Sequence, residues 1–284
     1  MFFIRLLSRL PLPVLYTFSD FLFFISFYLV RYRRRLVKKN LKNSFPEKTA
    51  KELRQIEKEF YLNLCDYAVE MLRLVTMSRE ELSRRMVFTN PDILQYYKSK
   101  NQSIIFLASH QFNWEWLLVS ASINFPMGID FVYQPINSSF FDKLLLYIRT
   151  RFGAYPIKRD EVARELVKRK DMLRGLASVA DQYPGYGHDK KYLTQFLNQE
   201  TAFFLGTNQL ALLTQNPVLY YKIKKVRRGY YVATGVQVAS PPYARNSEVV
   251  VENYIRLVEE LIRESPAGWL WSHNRWKKRH LRKK

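Results

Sequence analysis

From residue 47 to 76, apolar side chains return at three- and four-residue steps: Leu53, Ile56, Phe60, Leu64, Tyr67, Met71 and Leu74. That is the period of one face of an α-helix. Tyr61, Cys65, Ala68, Leu72 and Val75 make an adjacent stripe, and Asn63, Asp66, Glu70 and Arg73 make the polar face. Cys65 lies on an apolar stripe and reads as packing rather than as a nucleophile. Beyond residue 86 the pattern alternates. Short β-rich runs occur at 103–108, 129–133, 155–157, 176–180, 217–226 and 230–238. Helical patterns occur at 113–124, 138–152, 160–170, 202–213 and 246–264. Such alternation predicts an α/β domain, a mostly parallel mixed sheet flanked by helices. The last two runs are expected to pair antiparallel through a turn at Arg228-Gly229. No internal repeat, low-complexity linker, G-x-G-x-x-G or Walker loop interrupts the chain.

The front end has a different pattern. Leu12–Val30 reads "LPVLYTFSDFLFFISFYLV", with Pro13 acceptable in a first helical turn. From Pro13 the helix is roughly 27 Å long at about 1.5 Å per residue, close to the ~30 Å core of a bilayer. Asp20 costs ~3 kcal/mol at mid-bilayer but lies nearer the front end. Met1–Leu10 is amphipathic, with Arg5, Ser8 and Arg9 on one face, as in a helix lying on a membrane. No A-x-A-type cleavage site follows the apolar run, which argues against a secretory signal. Residues 1–30 are therefore expected to be a membrane-associated anchor, spanning or in-plane, and residues 31–284 a single α/β domain. Six basic groups follow the run and only Arg5 and Arg9 precede it. If the run spans, that bias puts the body on the cytoplasmic side.

Composition sharpens the picture. Lys and Arg number 46 against 25 Asp and Glu, a net charge of +21. Six basic groups fall in 31–39, five in 222–228 and seven in 275–284. Such clusters suit a polyanion: anionic lipid, an acidic protein, or nucleic acid. No zinc-finger, RRM-like or basic coiled-coil pattern accompanies them, which makes nucleic acid the remote alternative. A single cysteine excludes an internal disulfide and a cysteine-based zinc site.

The candidate chemistry sits in "SIIFLASHQFNWEW", Ser103–Trp116. A strand is predicted to end near Ala108 and a helix to begin near Asn113, so His110 occupies the strand-to-helix turn. In parallel sheets that carboxyl edge is where sites form. Glu115, in the first helical turn, is expected to converge on His110. A carboxylate on one imidazole nitrogen frees the other to take a proton from a hydroxyl. Equally, Glu115 in a first turn serves the helix dipole, and a turn histidine binds nearby backbone. A metal site using Asp181, His188 and Asp189 is the weaker option, without the H-E-x-x-H spacing.

"HQFNWEW" resembles the H-x4-[DE] block of glycerolipid acyltransferases, in particular the lipid A biosynthesis (lauroyl/myristoyl-type) acyltransferase family, where it commonly reads H-x-G-N-W-E. Here Phe112 stands at the glycine position. "RFGAYPIKR", Arg151–Arg159, is similar to a second block through Gly153, Ile157 and Arg159. "ADQ", Ala180–Gln182, resembles that branch's Asp-Gln after a strand. "FLNQETAFFLGTNQLALLTQNPVLY" and "NLKNSFPE" resemble further family segments. The ending "PAGWLWSHNRWKKR" is similar to P-x-x-W-x-W-x-H-x-R-W-K through Pro266, Trp269, Trp271, His273, Arg275, Trp276 and Lys277.

The resemblance implies transfer of a fatty acyl chain from an acyl thioester to a hydroxyl of a lipid A precursor. The expected donor is acyl carrier protein, or CoA, and the expected place is the cytoplasmic side of the inner membrane. Other acceptors within the same chemistry are a phosphatidylinositol mannoside or an aminoacyl lipid. The thioester is a co-substrate, so neither cofactor nor metal is expected. His110 and Glu115 are the expected catalytic pair. Substrate contacts are expected from Arg159, Asn113, Arg151, Asp181 and Gln182, with Arg149 read as a solvated helix residue. Tryptophans flanked by basic residues at the end suit a membrane interface. The tail Lys277–Lys284 suits anionic lipid, His273 and Arg275 suit structural roles, and a basic surface would also steer an acidic carrier protein.

Overall fold

The computed structural model describes residues 2–185 and 190–277. Four helices come first: α1 (Phe2–Ser8), α2 (Leu12–Phe24, continued by a π-helical turn Ile25–Leu29), α3 (Arg34–Ser44) and α4 (Ala50–Leu74). Then follow α5 (Arg79–Arg85), β1 (Met86–Phe88), α6 (Asp92–Ser99), β2 (Ile104–Ala108), α7 (Trp114–Asn124), β3 (Gly128–Tyr133) and α8 (Ser139–Thr150). The remainder is β4 (Tyr155–Lys158), α9 (Val162–Lys168), β5 (Arg174–Val179), the hairpin β6 (Lys191–Phe196) and β7 (Gln199–Phe204), α10 (Gly206–Thr214), β8 (Val218–Arg227), β9 (Tyr230–Ala239) and α11 (Val249–Glu264).

Local chemistry sets several of these boundaries. Thr49 and Glu52 close a capping box at the start of α4, and the Ser78 hydroxyl caps α5. All five residues of β2 are buried, as a central parallel strand requires. The seven-stranded sheet has the order β1-β9-β8-β2-β5-β3-β4. β8 and β9 are antiparallel and every other neighbouring pair is parallel, so the mixed, mostly parallel sheet is as predicted. β2, β5, β3 and β4 thus release their chains at one edge.

The helical face of Asn63, Asp66, Glu70 and Arg73 is not solvated. Asp66 and Glu70 are buried, because α1 and α2 lie across α4 and bond to it. Arg73 donates to the Ser8 carbonyl (2.9 Å). The Tyr16 hydroxyl donates to Glu70 (2.8 Å) and the Ser19 hydroxyl to Asp66 (2.8 Å). Arg228 bridges Asp66 and Asp20 at 2.6 and 2.7 Å. Leu12, Leu15, Phe23 and Phe27 are buried along the same side of α2 and its π-helical turn. The opposite side exposes Val14, Phe18, Phe21, Leu22, Phe24 and Leu29, and α1 exposes Phe2, Phe3, Leu6 and Leu7.

Two expectations change near the end of the chain. The helix expected at 202–213 begins only at Gly206, because 199–204 forms β7. Trp269 and Trp271 are 2% and 0% exposed, stacked edge-to-face in the core, so they anchor no membrane interface. The tail 278–284 lies outside the described residues. Cys65 is buried beside the Ser26 hydroxyl, and burial pushes its thiol up, consistent with packing.

Candidate active site

β2 ends at Ala108, and the next five residues make the turn that carries His110. Two backbone bonds hold this turn against the end of the chain. The Phe112 amide donates to the Gly268 carbonyl (2.8 Å), and the Leu270 amide to the His110 carbonyl (3.0 Å). Phe112 itself has φ +49°, a left-handed conformation that costs a non-glycine residue ~1–2 kcal/mol. Glycine adopts this conformation without that cost. Here the ring covers Gly268, where an added Cβ would lie 2.6 Å from the ring. Gly268→Ala is therefore expected to destabilise by about 1–3 kcal/mol, as over-packing does, read as a lowered denaturant midpoint; an unchanged midpoint would show that the ring moves freely.

The imidazole of His110 meets a carboxylate, but that carboxylate is Asp181. Nδ1 lies 2.6 Å from Asp181 Oδ1, and the His110 amide donates to Asp181 Oδ2 (3.0 Å). Asp181 follows β5, the parallel neighbour of β2, so adjacent strand ends bring the pair together. The Trp269 indole N–H donates to Oδ2 as well (2.7 Å). Burial would push the Asp181 carboxyl up. The charge and hydrogen bond of the His110 imidazole, the indole and the backbone amide outweigh that and hold it below its ordinary range. His110 itself keeps an exposed edge, with 18% of its side chain accessible.

Glu115 makes a different partnership from the one expected. Its carboxylate binds the Arg149 guanidinium through two bonds, Nε to Oε2 at 2.8 Å and Nη2 to Oε1 at 2.5 Å. Arg149 is thus no solvated helix residue: α8 turns it inward over the Phe131 ring. Burial pulls its pKa down, but the adjacent carboxylate overrides this and Arg149 stays charged. Tyr67 stacks on Trp114 at 4.3 Å, and Trp114 stands edge-on to His110 at 5.0 Å. These rings wall the site. The Tyr67 phenol is pushed well up by burial and by Glu115, so it remains an O–H.

The other expected contacts divide. Arg159 follows β4 at the same sheet edge, with its guanidinium over Phe204 (5.0 Å) and a bond to Gln134 (3.4 Å). Gln182 is half-buried beside Asp181. Asn113 is no substrate contact. It is fully buried, its amide group donating to Glu70 (2.7 Å) and its oxygen capping α7 through the Trp116 amide (2.9 Å). Arg151 likewise points away, closing the end of α4 by donating to the Leu74 and Met77 carbonyls. His188 and Asp189 lie outside the described residues, and among those described no three His, Cys, Asp or Glu side chains gather as metal ligands.

Two closing residues support the site from behind. His273 accepts from the Tyr183 amide (3.3 Å), and burial brings its imidazole down to about 4, so it is neutral at physiological pH. Arg275 is fully buried over the Phe203 ring (4.2 Å) and donates to Thr201 (2.6 Å); burial lowers it to about 10. A cleft of about 710 Å³ touches the turn at Phe112 but not at His110. Its charged lining is largely paired within itself, Asp66 with Lys225 and Arg228, which makes it a poor bed for a hydrocarbon chain.

The site thus offers a histidine with Nδ1 fixed and no hydrogen-bond partner for Nε2 among the described residues, a largely buried Glu–Arg pair and an aromatic wall. A search of curated proteins returned no match. A protein-family model, described as bacterial lipid A biosynthesis acyltransferase, matches residues 1–278 and so takes in every element of the sheet, the His110 turn and the Trp269 segment. With nearly the whole chain inside that match, the protein belongs to the bacterial lipid A biosynthesis acyltransferase family, whose members are enzymes that transfer acyl groups.

Proposed function

We propose that this protein moves a fatty acyl chain from the thioester of acyl carrier protein to a hydroxyl of a lipid A precursor. The observation that carries the proposal is the His110–Asp181 pair at a sheet edge, in a chain of a lipid A acyltransferase family. With Nδ1–H donating to Asp181, Nε2 is the basic nitrogen. It takes the proton of the acceptor hydroxyl as the oxygen attacks the thioester carbonyl. The C–S bond then breaks, and the departing thiolate receives that proton from the imidazolium. A thioester is already activated, so the step needs neither a cofactor nor a covalent enzyme intermediate, in keeping with the buried Cys65.

Arg159, at the same edge, is the residue proposed to hold a phosphate of the lipid or of the donor's pantetheine arm. Glu115 and Arg149 supply charge beside the aromatic wall. Ile136, Phe140 and Phe141 are exposed on the segment after β3, a lip of apolar surface suited to an acyl chain. The net charge of +21 would steer an acidic carrier protein and an anionic membrane surface.

The reaction is proposed to occur on the cytoplasmic face of the inner membrane, with α1 and α2 lying in its plane. One side of α2 is bonded to α4 and the β8–β9 hairpin at Tyr16, Ser19 and Asp20. A spanning α2 would have to carry the Asp66–Arg228 ion pair into hydrocarbon, at a desolvation cost that the pairing offsets only in part. An in-plane helix presents only its apolar side.

The test is incubation of the purified protein with isotopically labelled acyl–acyl carrier protein and candidate acceptors, followed by mass spectrometry. The expected product is a lipid A precursor heavier by one acyl group. Label appearing only on a phosphatidylinositol mannoside or an aminoacyl lipid, or on no lipid at all, would overturn the reading.

A further inference from the structure

Glu70 is a carboxylate with no exposed surface, on α4, apart from the reacting groups. It gathers three donors from three parts of the chain. Tyr16 of α2 donates to Oε1 (2.8 Å), Tyr231 of β9 donates at 2.9 and 3.0 Å, and Asn113 donates to Oε2 (2.7 Å). The backbone joins in: the Glu70 carbonyl accepts from the Trp116 indole (3.2 Å). Asn113 spends its other atom on the Trp116 amide. One residue of α4 therefore holds both the cap and the first turn of α7, the helix whose start is the His110 turn and whose second residue is Glu115. Burial pushes the Glu70 carboxyl up to about 7, against the pull of its three donors.

We propose that Glu70 is a positioning residue for acyl transfer: through Asn113 it sets the start of α7, and with it the placing of His110 and Glu115. This rests on the acyltransferase reading above, and it adds to that reading a residue that touches no substrate. It also ties the apolar N-terminal helix, by way of Tyr16, to the catalytic turn.

The Asn113 bond can be reversed without removing the helix cap, because an aspartate caps a helix as well as an asparagine does. In Asn113→Asp, a carboxylate faces the Glu70 carboxyl where a donor stood, and because Glu70 is already pushed up to about 7 the two keep a bond only by sharing a proton, which they lose as pH rises. Adding Glu70→Gln restores a donor–acceptor pair in the opposite sense: the introduced glutamine amide donates to the introduced carboxylate, and its oxygen still accepts from Tyr16 and Tyr231. We expect Asn113→Asp to lower kcat about tenfold to a hundredfold at the alkaline end of the pH profile, where the shared proton is lost, the scale of an ångström-sized misplacement, with KM changed by less than about threefold and a smaller loss at lower pH. Asn113→Asp/Glu70→Gln should recover most of that loss. Hydrogen exchange of the segment 109–120 should speed up in the single variant and slow again in the double.

A kcat unchanged in Asn113→Asp across the whole pH profile would overturn the proposal. So would a double variant that regains protection from exchange but not kcat, since the bond would then be structural only. A double variant that regains neither would remove Glu70 as the partner through which Asn113 acts. Should the unmodified protein transfer no acyl group, the functional reading fails, while the exchange pattern still reads the bond itself.

Discussion

Asp181→Asn is expected to lower acyl transfer by about 10²–10⁴-fold, as much as His110→Ala, with little effect on substrate binding. The reason lies in the count of donors. Asp181 Oδ2 receives two N–H groups, from the His110 backbone and the Trp269 indole, and Oδ1 faces His110 Nδ1. An asparagine has one oxygen to offer. It serves best at the Oδ2 position, where two donors point. Its NH2 group then faces Nδ1 and compels that nitrogen to accept. The proton moves to Nε2, and the nitrogen that should take the hydroxyl proton is already occupied. Steady-state rates with acyl–acyl carrier protein would measure this as a fall in kcat at nearly constant KM. A variant at the unmodified rate would show that Asp181 does not choose the tautomer. Glu115→Gln, in contrast, leaves the Nδ1 bond untouched, so any loss it causes has another origin.

The difference between those two carboxylates marks what a sequence conveys and what it withholds. An apolar run closing in "SHQFNWEW" identifies the end of a buried strand and a turn with chemistry in it. Strand adjacency is a different matter. Asp181 lies 71 residues from His110, and only the pairing of β2 with β5 brings it near. Glu115 was legible as a first-turn acid. The rotation that sends it to Arg149 depends on where α8 packs, which no local pattern records.

Periodicity has the same limit. It defines the polar face of α4 without saying what covers it, and here the cover is α2, with Tyr16, Ser19 and Asp20 set to meet Asp66, Glu70 and Arg228. Those residues look like a cost in an apolar helix until their partners are known. The β6–β7 hairpin was hidden for a chemical reason. Its turn places Leu197 and Asn198 both at positive φ, 50° and 61°. Such turns usually carry Asn-Gly or Asp-Gly, and Leu-Asn gives no such signal. The tryptophans misled because basic neighbours are shared by two settings, a membrane interface and the end of a core segment. Their indole N–H groups decide it: Trp269 donates to Asp181 and Trp271 to the Pro266 carbonyl (2.6 Å).

Glu115→Ala is expected to cost about 3–5 kcal/mol of folding stability, because it leaves the largely buried Arg149 charge without its carboxylate. Only 3% of the Glu115 side chain and 21% of the Arg149 side chain are accessible. In a chain of 284 residues the loss corresponds to a melting temperature lower by roughly 5–8 °C. Removing both charges together has the opposite consequence. Glu115→Leu/Arg149→Met replaces a desolvated ion pair by apolar groups of similar bulk, which is often neutral or mildly stabilising. Thermal unfolding of the single and double variants therefore separates the strain of a lone charge from the value of the pair. Activity separates structure from chemistry. The pair sits beside Tyr67 and the aromatic wall of His110, where a fixed charge acts on the developing oxyanion or on a phosphate. The double variant should therefore melt near the unmodified protein yet transfer acyl groups at least about tenfold more slowly. If it regains both stability and rate, the pair is a strut between α7 and α8, and the chemistry at this edge belongs to His110 and Asp181 alone.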